Sequence, residues 1–380
     1  MPSMICVESE RQNNMNNDQA ETQKRNLGID LLRILSMYMI VTVHFLGAGG
    51  VRNNTTGVNY AVAWFFEAIC YCAVDCYALI SGYVNCTKKI NRINRMMKLW
   101  LQVIYYTIVF FLIFLLTKTI RFNVKDAIHA VLPITTSHYW YVTAYMGLLV
   151  LMPYLNTLIE GLNRNQAATL IVVLALTFSC YATFALRLGD PMGLNGGYSM
   201  LWLIILYLIG ASMRRFAFFE HVSPRVFIIV MLLCVCLTWL WKMTVPARLS
   251  PSWFFSYTSP TVLISAVCLI GIFMKINVSG KCAIGVIRAS ASATLGIYLI
   301  HENELISSLL TGRFSCVGSI TFWVFPLCVI LFPAFLFLVC LIIEKARQGL
   351  FKMFGADRLI DRLSAGIDAR FNRILRKTDY

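Results

Sequence analysis

The chain has 380 residues, 58% of them hydrophobic and only 13% charged, with a mean hydropathy of +0.69. A soluble domain carries about 25% charged residues, so a large water-soluble core is excluded and an all-α integral membrane protein is expected. The formal charge of +15 would suit nucleic acid in a soluble protein, but these charges sit between apolar runs and follow membrane topology; no nucleic-acid partner is expected.

Residues 1–26 are polar and rich in Asn, Gln and Glu, which reads as a disordered cytoplasmic tail and not as a signal peptide. A membrane-spanning α-helix needs about 20 mostly apolar residues. Ten candidates follow, at 29–49, 61–84, 99–117, 139–155, 168–186, 198–213, 225–243, 257–274, 290–310 and 320–343. The expected fold is therefore a bundle of about ten transmembrane helices over 27–344. Ten spans put both termini on one side. Lys and Arg number 24 on the segments sharing that side and 8 on the opposite loops, so both termini are expected to be cytoplasmic. The tail, 345–380, is basic and amphipathic: Leu359, Ile360, Leu363, Ile367, Phe371 and Ile374 recur at steps of three and four. It is expected to lie on the anionic inner leaflet, with membrane lipid as its partner. The 13 cysteines fall mostly inside apolar runs. None has zinc-ligand spacing with a histidine, and no metal is expected.

Ionisable side chains inside apolar runs cost about 2.5–3.5 kcal/mol each on insertion scales and by default mark function. The first span, "IDLLRILSMYMIVTVH", holds Asp30, Arg33 and His44. Eleven residues are close to three helical turns, so Arg33 and His44 share a face about 16 Å apart. Asp30 and Arg33 alone make an ordinary helix-end ion pair. His44 lies in the outer half of the bilayer, as a packing residue or as a general base. The second span carries Glu67 and Asp75 and ends in Ser81-Gly82-Tyr83, where a small residue permits close helix packing. "NCTKKINRINRMMKLW" then brings Lys88, Lys89, Arg92, Arg95 and Lys98. These obey the positive-inside rule, and they also suit an anion site, because guanidinium forks match phosphate oxygens.

"SHYWYV" places His138 and Trp140 at the outer entrance of the fourth span, where an aromatic belt is ordinary. "GIYLIHENE" carries His301, Glu302 and Glu304. Either they line a cavity inside the ninth span, or that span ends early and they meet the outer surface. No phosphate-binding GxxxxGK[ST] loop, HExxH motif or Gly-x-Ser-x-Gly elbow is present.

The ordered set "IDLLRILSMYMIVTVH", "VDCYALISGYVN", "RINR", "SHYWYV" and "GIYLIH" resembles the acyltransferase family 3 membrane proteins, which acylate surface polysaccharides and related acceptors. The resemblance implies a membrane O-acyltransferase in the cell (plasma or inner) membrane. Its donor is acyl-CoA, usually acetyl-CoA, entering from the cytoplasm. Its acceptor is a hydroxyl of a surface polysaccharide or a lipid-linked glycan. Arg92 and Arg95, with Lys88 and Lys89, would hold the coenzyme phosphates. Arg33 and His44 would line the transfer path, with the pantetheine arm bringing the thioester to His44 as base or nucleophile. His301 and Glu302 would orient the base, and Trp140, His138 and Asp75 would meet the acceptor. The competing readings are a glycan or lipid transporter or flippase, and a non-catalytic membrane subunit. The chain shows neither a repeat between its halves nor paired Gly/Pro-broken spans, which transporters often carry.

Overall fold

A computed structural model describes residues 26–87, 92–136, 138–185, 189–246 and 252–378, with side chains as far as 368. The expected N-terminal tail and the candidate phosphate ligands Lys88 and Lys89 lie outside the described residues. Among those described, regular structure is helical throughout. In chain order the helices are α1 (Leu27–Leu46), α2 (Gly57–Cys70), α3 (Ala73–Asn85), α4 (Arg92–Leu116), α5 (Val124–Val131) and α6 (Trp140–Gly161). Next, α7 (Arg164–Ala175) runs through a π segment, Leu176–Tyr181, into α8 (Ala182–Ala185). Then come α9 (Met200–Arg215), α10 (Pro224–Thr244), α11 (Pro260–Phe273), α12 (Lys281–Ala291), α13 (Thr294–His301), α14 (Glu304–Leu310), α15 (Phe325–Met353) and α16 (Ala356–Thr378).

Every apolar segment picked out in the sequence is helical. By length and composition, 7 helical segments among the described residues suffice to cross a bilayer, with α2–α3 as one and α7–α8 as another; α12 and α13, bent by 41°, would make an eighth. At 16 and 14 residues, α9 and α11 are shorter than a full span. The ninth candidate, 290–310, is not continuous. It bends between α12 and α13 and breaks again at Glu302–Asn303 before α14 begins.

Local sequence sets these boundaries. Asn26 caps α1 by accepting from the Ile29 amide at 3.2 Å, and its amide donates to the Met274 carbonyl at 2.8 Å. That bond ties the start of α1 to the end of α11. Asn163 and Gln166 form a reciprocal capping box that opens α7. Buried residues concentrate in α1, α3 and α9, while α10 and α15 expose Leu233, Leu237, Phe335 and Ile342. In a membrane bundle such rows face lipid.

Two glycines bring α3 and α9 into backbone contact. A Cβ on Gly82 would stand 2.0 Å from the Tyr207 carbonyl oxygen, and one on Gly210 would stand 2.1 Å from that of Leu79. No larger residue fits either place, which is the small-residue logic of membrane helix pairs. A third, Gly296 on α13, leaves room for Glu344 of α15; a Cβ there would lie 2.1 Å from Glu344 Oε2. The fully buried Glu344 accepts hydrogen bonds from Tyr106 at 2.6 Å, from Arg347 at 2.6 and 2.8 Å and from Gln348 at 2.8 Å. Those partners offset the cost of burying its charge.

Outside the bundle, α16 docks on the start of α4. Lys98 Nζ lies 2.8 Å from Asp361 Oδ1, and Asn94 donates to Asp361 and Ser364 at 2.7 and 3.0 Å. Ile360 is buried beside this contact, while Leu359, Leu363 and Ile367 remain exposed as a stripe along the helix.

Candidate functional site

A cavity of about 1160 Å³ is lined by α1, α3, α4, α6, α9, α12 and α13. That exceeds the roughly 300–1,000 Å³ of an ordinary small-ligand pocket. Its wall follows the face of α1 that carries Ile29, Arg33, Met37, Ile40 and His44. Steps of three and four keep these side chains on one stripe, so Arg33 and His44 look into the same space.

At the Arg33 end the wall is cationic, with Arg33, Arg95 and Arg214 beside Asn26, Asn85 and Thr87. Arg33 pairs with Asp30 at 3.0 Å, and Tyr77 donates to the Arg33 carbonyl at 2.7 Å. Arg95 donates to Asn85 Oδ1 at 3.0 Å. Arg214 lies over the Tyr83 ring at 5.3 Å. Arg92, although only three residues from Arg95, points elsewhere: it donates to the Val150 carbonyl at 3.4 Å and sits 5.9 Å from the Tyr154 ring centre.

At the other end stand His44, Glu302, Trp140, Tyr141, Tyr257 and Tyr298. His44 Nδ1 lies 2.9 Å from Glu302 Oε1 and 3.0 Å from His301 Nε2. His301 is buried, and its Nδ1 lies 2.7 Å from the Ile297 carbonyl oxygen. A carbonyl only accepts, so His301 Nδ1 carries the proton and, in the neutral ring, Nε2 is the acceptor. His44 must then hold its own proton on Nδ1, shared between Glu302 and His301. Its Nε2 is left with a lone pair. This is the arrangement of a general base whose tautomer is fixed from behind. The helix breaks directly after His301, at Glu302–Asn303. Glu302 closes α13 as its C-cap, and α14 restarts at Asn303, whose side chain caps Leu305 and donates to Tyr139 OH at 2.9 Å. Tyr139 OH in turn donates to the Leu299 carbonyl at 2.9 Å. The donor atoms of His44, His301 and Glu302 also lie within 4.8 Å of one another, close enough to hold a metal ion, but here they already satisfy each other.

The structure thus brings His44, His301, Glu302 and Trp140 to one end of the cavity and Arg33 and Arg95 to the other. It places three further candidates off the cavity wall. Asp75 is fully buried and accepts from Trp202 Nε1 at 3.0 Å. His138 faces Glu304, with 3.6 Å between Nδ1 and Oε2. Arg92 belongs to the α6 contact described above. Arg214, Asn85 and the tyrosines at 77, 141, 257 and 298 were not singled out in the sequence. Arg214 looked like ordinary positive-inside charge, and tyrosines in apolar runs look like interface belt.

Beyond the cavity, Arg52 pairs with buried Glu67 at 2.7 Å, while Arg52 and Lys242 both face the Trp64 ring, at 4.5 and 4.0 Å. Outside the spans, hydrogen bonds from Lys98 and Asn94 hold the Asp361 carboxyl below the usual carboxylate range.

A family model described as an acyltransferase domain matches residues 26–345. Neither a curated protein nor a solved structure matches the chain.

Proposed function

The chain belongs to acyltransferase family 3, whose model spans nearly all of it, and from that premise we propose that it moves an acyl group, read here as acetyl, from acyl-CoA to a hydroxyl of a surface or lipid-linked glycan. The observation that carries this reading is a cavity with arginines at one end and a histidine held by two partners at the other. A CoA carrier is a polyanion on a long neutral arm, which suits Arg95, Arg214 and Arg33 at one end and His44 about 16 Å from Arg33 along the helix. Arginine supplies the forked donors that phosphates require.

In the reaction, His44 Nε2 takes the proton of the acceptor hydroxyl as its oxygen attacks the thioester carbonyl. Collapse of the tetrahedral intermediate breaks the carbon–sulfur bond, and the thiolate leaves with the proton that His44 returns. Glu302 offsets the imidazolium charge in between, and His301 keeps the ring oriented. Trp140 and Tyr257, whose rings stack at 6.2 Å beside Tyr198, suit the flat apolar face of a sugar ring. With the termini on the cytoplasmic side, the acyl group reaches an acceptor on the far side while its carrier stays behind.

The test uses inside-out membrane vesicles and acetyl-CoA labelled in the acetyl group, following label into glycan or lipid. Wild type transfers label and His44→Ala does not. Equal transfer by both removes His44 from the chemistry, and transfer by neither rejects the donor.

A further inference from the structure

A second set of donor atoms lies away from the cavity, at the end of the bundle opposite Arg95. His129 on α5, His138 in the turn before α6 and Glu304 in the first turn of α14 bring two imidazole nitrogens and a carboxylate oxygen within 4.8 Å of one another. Unlike the group at His44, this one is not held by hydrogen bonds. His138 Nδ1 is 3.6 Å from Glu304 Oε2, beyond hydrogen-bond reach. The His138 side chain is only 8% exposed, and its Nε2 is buried with no hydrogen-bond partner. The nitrogen nearer Glu304 is Nδ1, so the Nδ1 side of the ring faces the set. Tyr139 packs edge-on against this ring at 4.7 Å.

We propose that His129, His138 and Glu304 form a binding site for a divalent transition metal of the zinc type. Two imidazoles and one carboxylate are a three-ligand zinc set that leaves a fourth position for water. Calcium and magnesium prefer oxygen donors throughout. Tetrahedral bonds of about 2.0–2.1 Å put ligand atoms about 3.3 Å apart, so the set must tighten. Glu304, 75% exposed, and half-buried His129 are free to swing toward the fixed His138. The three ligands come from separate elements, which is why no spacing in the sequence announces them.

The metal would clamp a strap that matters elsewhere. His138 and Glu304 flank the Tyr139–Asn303 hydrogen bond, and Glu302 is the next residue along. Binding would lock the segment that holds Glu302 against His44. This consequence rests on the proposed acyl transfer; the metal site itself does not, and binding is measured without turnover.

The experiment takes the full-length chain in detergent, strips it with chelator, adds Zn²⁺, and measures bound zinc per chain and melting temperature. Wild type is expected to bind one equivalent more than His129→Ala, and Glu304→Gln to lose the same equivalent. Zinc at about 100-fold above its Kd is expected to raise the wild-type melting temperature by about 5 °C, with no such rise in His129→Ala. His44→Ala is expected to keep the equivalent that His129→Ala loses. Equal stoichiometry and equal melting shifts in wild type and His129→Ala overturn the proposal, as does a wild type that binds no zinc.

Discussion

Glu302→Gln keeps the shape of the side chain facing His44 and removes its charge, so it isolates what the carboxylate does in the transition state. With Glu302 Oε1 2.9 Å from His44 Nδ1, the imidazolium and carboxylate charge centres lie about 4 Å apart. That separation is worth about 4 kcal/mol at an effective dielectric of about 20. The two side chains are 30% and 27% exposed, so water screens part of this, and about 2–4 kcal/mol remains. Lost only in the transition state, it lowers kcat by roughly 30- to 1,000-fold. The fall is smaller than the roughly 10⁴-fold expected where a lone carboxylate orients the base, because His301 Nε2 still accepts the same His44 proton. The assay is steady-state release of free coenzyme thiol by the purified chain in nanodiscs, with acceptor in excess. Donor KM should stay at the wild-type value. His301→Ala added to Glu302→Gln should cost more than the product of the single effects, since each partner covers for the other. A Glu302→Gln enzyme within threefold of wild type would refute the charge argument.

The two arginines of "RINR" should separate. Arg95→Ala weakens coenzyme A binding by roughly 10- to 100-fold, the worth of a charged hydrogen bond, while Arg92→Ala leaves it near wild type; isothermal titration reads both, and equal losses would contradict the placement of Arg92 against α6. Gly82→Ala puts a Cβ 2.0 Å from a backbone oxygen and should cost about 1–3 kcal/mol, seen as a lower melting temperature in detergent; an unchanged melting temperature would show that α3 and α9 can part without cost. The depressed Asp361 carboxyl stabilises the α16 contact above the ordinary carboxylate range, and that contribution disappears as pH falls through the folded-state value. Spin labels on α16 and α4 should therefore separate in acid, and Asp361→Asn should separate them at neutral pH; a distance unmoved by either change would assign the docking to Ile360 instead.

Helical periodicity carries much of this molecule, because membrane helices are written in runs of apolar residues that no other spanning structure explains. The pairing of Arg33 with His44 on one face was legible for the same reason: eleven residues fix a direction. What periodicity does not carry is where a helix bends. Ser292 and Ala293 are acceptable helix residues, and the 41° bend beside them arises where α13 packs through Gly296 onto Glu344, a contact 48 positions away in sequence. A spacing of three places Arg92 and Arg95 on one helical face, whereas the partners Val150 and Asn85, on α6 and α3, send their side chains apart. The partner of Asp75 was not legible either: the Trp202 indole that donates to its Oδ1 sits on α9, far away in sequence, and leaves Oδ2 buried without a hydrogen bond.

The crossing of α3 and α9 divides the molecule mechanically. Two helices whose backbones touch at Gly82 and Gly210 cannot slide or rotate past one another without colliding, so they behave as one beam. Tyr77, Asn85 and Arg214 ride on that beam, and α1, which carries His44, packs against it. Because α6 packs on α9 as well, the wall left to yield to a bulky ligand is the bent pair α12–α13, with Tyr298 and Glu302. His44 would then stay in register with the rigid side while Glu302 travels with the moving one, so that their 2.9 Å contact holds only while that wall is in place.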